Sequence, residues 1–252
     1  MRSLTTVDVV VLTWNDPPEE LQRAVHSALA QSGIEPIVMV VDNGSDVPAL
    51  VADERVRLVR SPENLGVGGG RNLGVRETRS PFVCFLDSDA RLHEGALEKL
   101  VAPLVDDATV GLTAPVFTGQ RPEASAGRAP TFRRKVLRAC NRTDLYEPMP
   151  DQGTGERWDV DFAIGACQVF RRDAFEQVGG LDDSASFGPE DVDFCLRLGA
   201  AGWRVVQVAD AGCDHPPRRA FKGVATAKGL RHASAVLRHL WRHRRTRRQV
   251  AA

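Results

Sequence analysis

The chain has 252 residues, 42% hydrophobic and 26% charged, an ordinary globular composition that excludes collagen-like, disordered and disulfide-scaffold classes. Lys plus Arg equals Asp plus Glu at 33 each, so nothing in the overall balance points to a nucleic-acid partner. The charge is uneven along the chain. Eleven of the basic residues and no acid lie in 215–252, leaving 22 basic against 33 acidic residues before them. An acidic body thus carries a basic tail of the kind that meets anionic surfaces. Five cysteines (Cys84, Cys140, Cys167, Cys195, Cys213) form no Cys-x-x-Cys pair and have no zinc-ligand spacing. They read as small core residues in a reducing compartment. No run approaches the roughly 20 apolar residues of a membrane span, and Val7 to Trp14 is broken by Asp8 and lacks a cleavage site. The expectation is a cytoplasmic protein.

In chain order, Val7 to Leu12 reads as a buried strand of the parallel-sheet type, followed by Thr13-Trp14-Asn15. Asp16-Pro17-Pro18-Glu19 predicts a helix start with Asp16 as N-cap, and Leu21, Val25, Ala28 and Leu29 supply its apolar stripe. Ile37 to Val41 is a second strand, ended by the turn residues Asp42-Asn43-Gly44-Ser45. Val56 to Val59 is a third, Val67 to Glu77 a glycine-rich helix, and Phe82 to Leu86 a fourth strand running into Asp87-Ser88-Asp89. This alternation through residue 116 predicts an α/β fold with a mainly parallel, doubly wound sheet flanked by helices, whose ligands sit beyond the carboxyl ends of the strands.

From Phe117 to Trp158 the pattern gives way to a long stretch with Arg121, Arg128, Arg133, Arg134, Lys135, Arg138 and Arg142, and loops of that length are commonly functional. Regular structure resumes over Val160 to Arg171, then a short helix Asp173 to Val178, a Gly179-Gly180 stop, a helix Pro189 to Ala201 and a last strand Trp203 to Val208. The tail reads as an amphipathic helix with Leu230, Ala233, Leu237, Leu240 and Trp241 on one face. The organisation expected is residues 1–116 and 117–221 as two halves of one domain, with 222–252 as a basic helical tail.

Four features could carry chemistry. Asp87 and Asp89 after a buried strand suit a hard divalent cation, or else cap the helix beginning near Glu94. The run from Asn64 to Asn72 brings backbone amides to a helix start, for a diphosphate or for close packing on the sheet. It fits neither the dinucleotide fingerprint nor a P-loop. Glu190, Asp191 and Asp193 crowd one helical first turn, where the helix dipole accounts for them or one acts as a base. His215, in an exposed polar setting after the last strand, completes a metal site or is a surface residue; His93 reads as surface only.

VVVLTWN, VVDNGS, NLGVGGGRN, FLDSDA, the Gly165-Ala166 turn, GGLDD and GPEDVDFCLRLGAAGWRV with a final His, in that order over residues 7–215, resemble the family 2 glycosyltransferases of GT-A fold. The resemblance implies that Thr13 and Asn15 line a nucleotide pocket, that Asp42 recognises the base, and that Asn64, Gly68 and Arg71 lie beside ribose and phosphate. It further implies Asp87 near ribose or metal, Asp89 and His215 as ligands of Mg²⁺ or Mn²⁺, and Asp191 as catalytic base with Glu190 beside it. Trp14 and Asn43 depart from the family's commoner Tyr and Asp and resemble rhamnosyl-type members, which argues against a pocket for uridine alone. The implied activity is inverting, metal-dependent transfer from a UDP- or dTDP-sugar to the hydroxyl of a glycan or lipid-linked acceptor. Cell-envelope polysaccharide, glycolipid or secondary-metabolite glycoside synthesis is the implied setting. The basic tail, by its charge and apolar face, is expected to lie on the inner face of an anionic membrane or else to dock on the protein's own acidic body or a partner subunit. A sugar-nucleotide-binding protein without transferase activity and a nucleotidyltransferase are the rival classes; the latter would want a basic, glycine-rich segment near the first strand, where this chain has Thr13 to Pro18.

Overall fold

The structure, a computed structural model, describes residues 4–119, 124–128, 156–184 and 190–216. The helical tail, most of the arginine-bearing stretch, Cys140 and the Pro189 helix start lie outside the described residues. The chain runs β1 (Thr5–Thr13), α1 (Pro18–Leu29), β2 (Ile34–Asp42), β3 (Arg57–Arg60), α2 (Gly66–Arg76), β4 (Phe82–Asp87), β5 (Arg91–Leu92), α3 (Ala96–Asp106) and β6 (Val110–Thr118). There follow β7 (Ala126–Gly127), β8 (Arg157–Val160), β9 (Phe162–Ala163), β10 (Cys167–Arg171), α4 (Arg172–Gln177), α5 (Glu190–Ala200) and β11 (Arg204–Asp214).

The main sheet has the order β3-β2-β1-β4-β10-β6-β11-β5, with β8 paired to β11. The expected parallel sheet holds over β3-β2-β1-β4. Beyond β4 the sheet is mixed: β10 enters antiparallel between β4 and β6, and β5 and β8 run antiparallel to β11. The region Val160 to Arg171, one run in the sequence, divides at Asp161 and at the Gly165-Ala166 turn into β8, β9 and β10. The last strand outlasts its hydrophobic run. After Val208 a break in register lets the chain rejoin β6 at Gly212 and continue to Asp214, so polar residues there are in the sheet as well.

Alternate residues of a strand face opposite sides, and both sides of this sheet are covered. Val7, Val9 and Val11 of β1 face α1 and α3 through Leu21, Val25, Leu97 and Leu100. Val10 faces the other layer with Phe85, Phe170, Phe175 and Phe194, whose rings pack at 4.7 to 5.5 Å along the chain of contacts. Two-sided burial is the reason for the β-branched run Val9-Val10-Val11. Cys84, Cys167, Cys195 and Cys213 are free, buried thiols, as expected of core residues. Asp8, which interrupts the first apolar run, is buried and paired with Arg172 at 3.1 Å while accepting the amides of Arg79 and Ser80.

Two capping expectations are corrected. The N-cap of α1 is Pro17, and Asp16 instead accepts from Thr13 Oγ1, the Trp14 amide and Ser88 Oγ. Those three donors lie at the end of β1 and in the loops after β1 and β4, so the carboxylate ties these segments together. The N-cap of α3 is Gly95 in the left-handed region, without a side-chain cap bond, so Asp87 and Asp89 do not cap it.

The glycines of α2 serve close packing. A Cβ on Gly68 would lie 2.7 Å from the Asp182 carbonyl oxygen, and one on Gly70 would lie 2.5 Å from Leu12 Cδ1. At Gly74 it would collide with Val10 Cγ1 and Val41 Cγ2. Gly74→Ala is therefore expected to destabilise by about 1–3 kcal/mol through overpacking. Gly199→Ala, on an exposed part of α5 with open space around it, should stabilise by about 0.5–1 kcal/mol. Urea unfolding of both variants checks this, and equal midpoints for the two would remove the packing explanation.

Candidate active site

The carboxyl ends of β1, β2 and β4 converge as the sequence predicts, and Arg71 holds the deepest point. Its side chain, 4% exposed, rises from α2 over the Phe85 ring. Nη2 donates to Asp87 Oδ1 and to the Gly165 carbonyl, each at 2.7 Å, and Nη1 lies 3.5 Å from Glu190 Oε1. Gly165 has no room for a side chain, because a Cβ would meet Arg71 Nη1. Its amide donates to Asp191 Oδ2 at 3.1 Å, and Asp191 Oδ1 accepts from the Val192 amide at 2.7 Å. Asp193, the third acid of that helical turn, is buried in an ion pair with Arg197 at 2.6 Å and faces away from this chemistry.

Three acids around one buried cation leave an excess of negative charge. Burial raises the Glu190 carboxyl to about 8, with repulsion from Asp191 adding to the rise. Burial also raises Asp191, against the pull of the Gly165 and Val192 amides. For Arg71, burial opposes the charge, but Asp87, Glu190 and Asp191 outweigh it and hold the pKa above its ordinary value. A carboxylate whose pKa is lifted toward neutrality is a better proton acceptor than one on a solvated helix end.

Asp87, Asp89 and His215 each bring one ligand atom within 4.8 Å of the others. His215 Nε2 is 3.7 Å from Asp89 Oδ1, and its ring packs on Phe117 at 5.1 Å. The exposed setting expected for His215 is corrected: its side chain is 15% exposed, because the extended β11 carries it in beside β6. Two carboxylates and an imidazole are a fitting donor set for Mn²⁺, and the carboxylates alone also suit Mg²⁺. His93, read from sequence as a surface residue, is tied in beside them. Its Nε2 lies 3.1 Å from Asp214 Oδ1 and 3.0 Å from Thr118 Oγ1.

On the other side of β1, Thr13 is buried and bonded to Asp16. Asn15 sits at φ 55°, its amide donating to Ser45 Oγ and its side chain exchanging two hydrogen bonds with Asp46. Asp42 is buried and accepts the Ser45 and Ala49 amides and Arg60. Burial opposes its charge, but these donors hold the carboxyl below its ordinary range. Asn64 Oδ1 accepts from the Gly66 amide and from Asn43 Nδ2, so the start of α2 is fastened to the end of β2. Gly68 is buried under Asp182 rather than open at the helix start. Sequence reasoning missed the bonds of Gly165, Arg60 and His93, which join residues far apart in the chain. The one signal was a glycine at the 165 turn.

The sequence model of the family described as Glycosyl transferase family 2 matches residues 8–179. Among curated relatives, a pre-mycofactocin glycosyltransferase of Mycobacterium tuberculosis is 32% identical over 205 residues, covering 79% of this chain and 41% of that protein. The N-acetylglucosaminyl-diphospho-decaprenol L-rhamnosyltransferase of the same organism is 28% identical over 242 residues, covering 84% and 76% respectively. Two solved structures share the fold. GalNAc-T7 with UDP, GalNAc and Mn²⁺ has a TM-score of 0.66 at 18% identity, over 89% of this chain and 46% of that one. The mannosyltransferase PcManGT of Pyrobaculum calidifontis with GDP-Man and Mn²⁺ has 0.64 at 20%, over 95% and 64%. The chain thus spans less than half of the first relative.

Glu190 sets a pH dependence. In the unfolded chain its carboxyl ionises at the ordinary 4.5, and in the folded protein at about 8. Between those values the folded form binds the extra proton, so the group's contribution to stability falls as pH rises. Glu190→Gln removes this slope. In metal-free buffer its thermal midpoint should gain on the parent from pH 5 to about pH 8 and level off above that, and a constant difference from pH 5 to pH 8 would refute the assignment.

Proposed function

The chain belongs to glycosyl transferase family 2, and on that premise we propose that it is an inverting, metal-dependent transferase moving a sugar from a nucleoside-diphosphate sugar to an acceptor hydroxyl. The observation that carries the proposal is Asp191: a carboxylate of raised pKa, fixed by the Gly165 amide, in the same crevice as Asp87, Asp89 and His215. Asp191 takes the proton of the acceptor hydroxyl as its oxygen attacks the anomeric carbon. The diphosphate leaves from the opposite face, and one displacement inverts the centre. Arg71 keeps Asp87 and the Gly165 turn in place and offsets the charge beside Asp191. Glu190, held as a neutral acid near pH 7, keeps a second negative charge away from the base. Asp89 and His215, with Asp87 adjacent, would hold Mg²⁺ or Mn²⁺, which supplies positive charge to the leaving diphosphate.

In this reading the nucleoside lies over the carboxyl ends of β1, β2 and β3, past Thr13, Asn15, Asp42 and Asn64, with Gly68 letting α2 approach the 181–184 segment. The named acceptor of the rhamnosyltransferase relative supports a lipid-linked acceptor. The eleven cationic residues of 215–252 support peripheral contact with the inner face of an anionic membrane, which brings such an acceptor close.

Two variants test the chemistry through release of the nucleoside diphosphate. Asp191→Asn keeps the shape and should lower turnover by roughly 10²- to 10⁴-fold with donor affinity little changed; normal turnover would take the base role from Asp191. Asp89→Ala should abolish the dependence of donor binding on Mn²⁺. Retention of that dependence would move the metal elsewhere.

A further inference from the structure

The register of the parallel strands sets three polar residues in a row at the carboxyl edge: Arg60 of β3 is the partner of Asp42 of β2, which is the partner of Thr13 of β1. In the transferase reading, on which this inference rests, the sugar faces Asp191 and the diphosphate faces Asp89 and His215. Both lie on the β4, β10 and β11 side. The base, at the far end of the donor, extends the other way across β1, β2 and β3, strands spaced about 4.8 Å apart.

Two charged side chains meet there, and their environments are opposite. Asp42 has 1% of its side chain exposed. Its oxygens are occupied by the Ser45 amide at 2.9 Å, the Ala49 amide at 3.0 Å and Arg60 Nη1 at 3.0 Å. A carboxylate so enclosed meets a base only by releasing the 43–49 turn it holds. Arg60 is 40% exposed. Its Nη1 is fixed by Asp42 and its Nη2 by the Ser45 carbonyl at 2.7 Å, so the planar fork is oriented while part of it faces solvent. A guanidinium carries five N–H donors and no acceptor.

We infer that Arg60, not Asp42, reads the nucleobase, and that it selects bases whose edge carries carbonyl oxygens, namely uracil, thymine or guanine, over cytosine and adenine. The last two present an amino group where the others present O4 or O6, and a donor facing a donor leaves both without a bond. Asp42 then has a positioning role: it orients the fork and closes the turn. The row also accounts for a basic residue at the end of an edge strand, where no core packing asks for one.

Calorimetric titration of the full chain with Mn²⁺ and UDP, dTDP, GDP, CDP, ADP and pyrophosphate tests this. The parent should bind the three oxo-base diphosphates at least about 10-fold more tightly than CDP and ADP. Arg60→Met should bring all five within about threefold of one another, with pyrophosphate affinity unchanged. Asp42→Asn should lower the thermal midpoint yet keep the order of preference. If Arg60→Met shows no cooperative melting, Arg60→Lys, which keeps the charge beside Asp42 and loses the fork, should flatten the preference in its place. A preference that survives in these Arg60 variants, or one flattened by Asp42→Asn alone, would overturn the inference. So would a parent that binds all five diphosphates alike. A parent that binds neither nucleotides nor pyrophosphate with Mn²⁺ would overturn the transferase reading itself, and this inference with it.

Discussion

A guanidinium taken out of water is tolerated only where anions and carbonyls replace the lost hydration, and Arg71 meets that demand with groups from three parts of the chain. Asp87 comes from the end of β4, the Gly165 carbonyl from the turn before β10, Glu190 from the start of α5, and the Phe85 ring lies beneath. Satisfying one cation therefore brings the Glu190-Asp191 turn and the cluster of Asp87, Asp89 and His215 to a common centre. The same demand explains the residue at position 165, since the backbone must approach the guanidinium more closely than any side chain allows. It also explains how two carboxyls sit side by side under cover: the guanidinium offsets the charge of Asp191, while burial and Asp191 lift Glu190 to about 8 and so keep its proton at neutral pH.

The parts of the fold that were legible in the sequence are those in which one local pattern has one cause. Val9 to Leu12 and Phe82 to Leu86 are apolar at every position because both sides of the strand are covered, and the structure puts strands there. The polar residues that follow them, Thr13 and Asn15 in one case and Asp87 and Asp89 in the other, mark the sheet's carboxyl edge for the same reason: the core ends where they begin. The parts that were not legible depend on partners distant in sequence. Nothing near Cys167 to Arg171 distinguishes an antiparallel strand from a parallel one, since its direction is decided by the strands it enters between. Gly212 to Asp214 are polar or small and continue a strand only because β6 and β5 flank them.

The site divides in the same way. Asp87, Asp89, Asp191 and His215 stood out by type and position as candidates, and the structure brings Asp87 and Asp89 together with His215 and sets Asp191 near them through Gly165. The nucleotide side was harder. Thr13, Asp42 and Asn64 turn out to be engaged with the protein's own backbone and side chains, a condition no residue list reveals. Glycines in the run 66–70 were equally open to phosphate binding and to packing, and the contacts at Gly68 and Gly70 are with protein. Charge pairs such as Arg60 with Asp42 span 18 residues and a loop, beyond the reach of periodicity.

The position of β10 has a consequence for the order of synthesis. It lies between β4 and β6 in the sheet but follows both in the chain, so the strands on its two sides have no edge in common until residue 167 has left the ribosome. The parallel unit β3-β2-β1-β4 needs only the first 87 residues to pair all its strands. Arg71 is made early within that unit, and its contacts at Gly165 and Glu190 arrive 94 and 119 residues later. The nascent chain thus carries an uncapped β4 edge until β10 is made, and until then a cation matched by Asp87 alone, a stretch in which such edges are prone to pair wrongly. The enclosure of Arg71 is by this topology a late event, completed by the segment that carries Glu190 and Asp191.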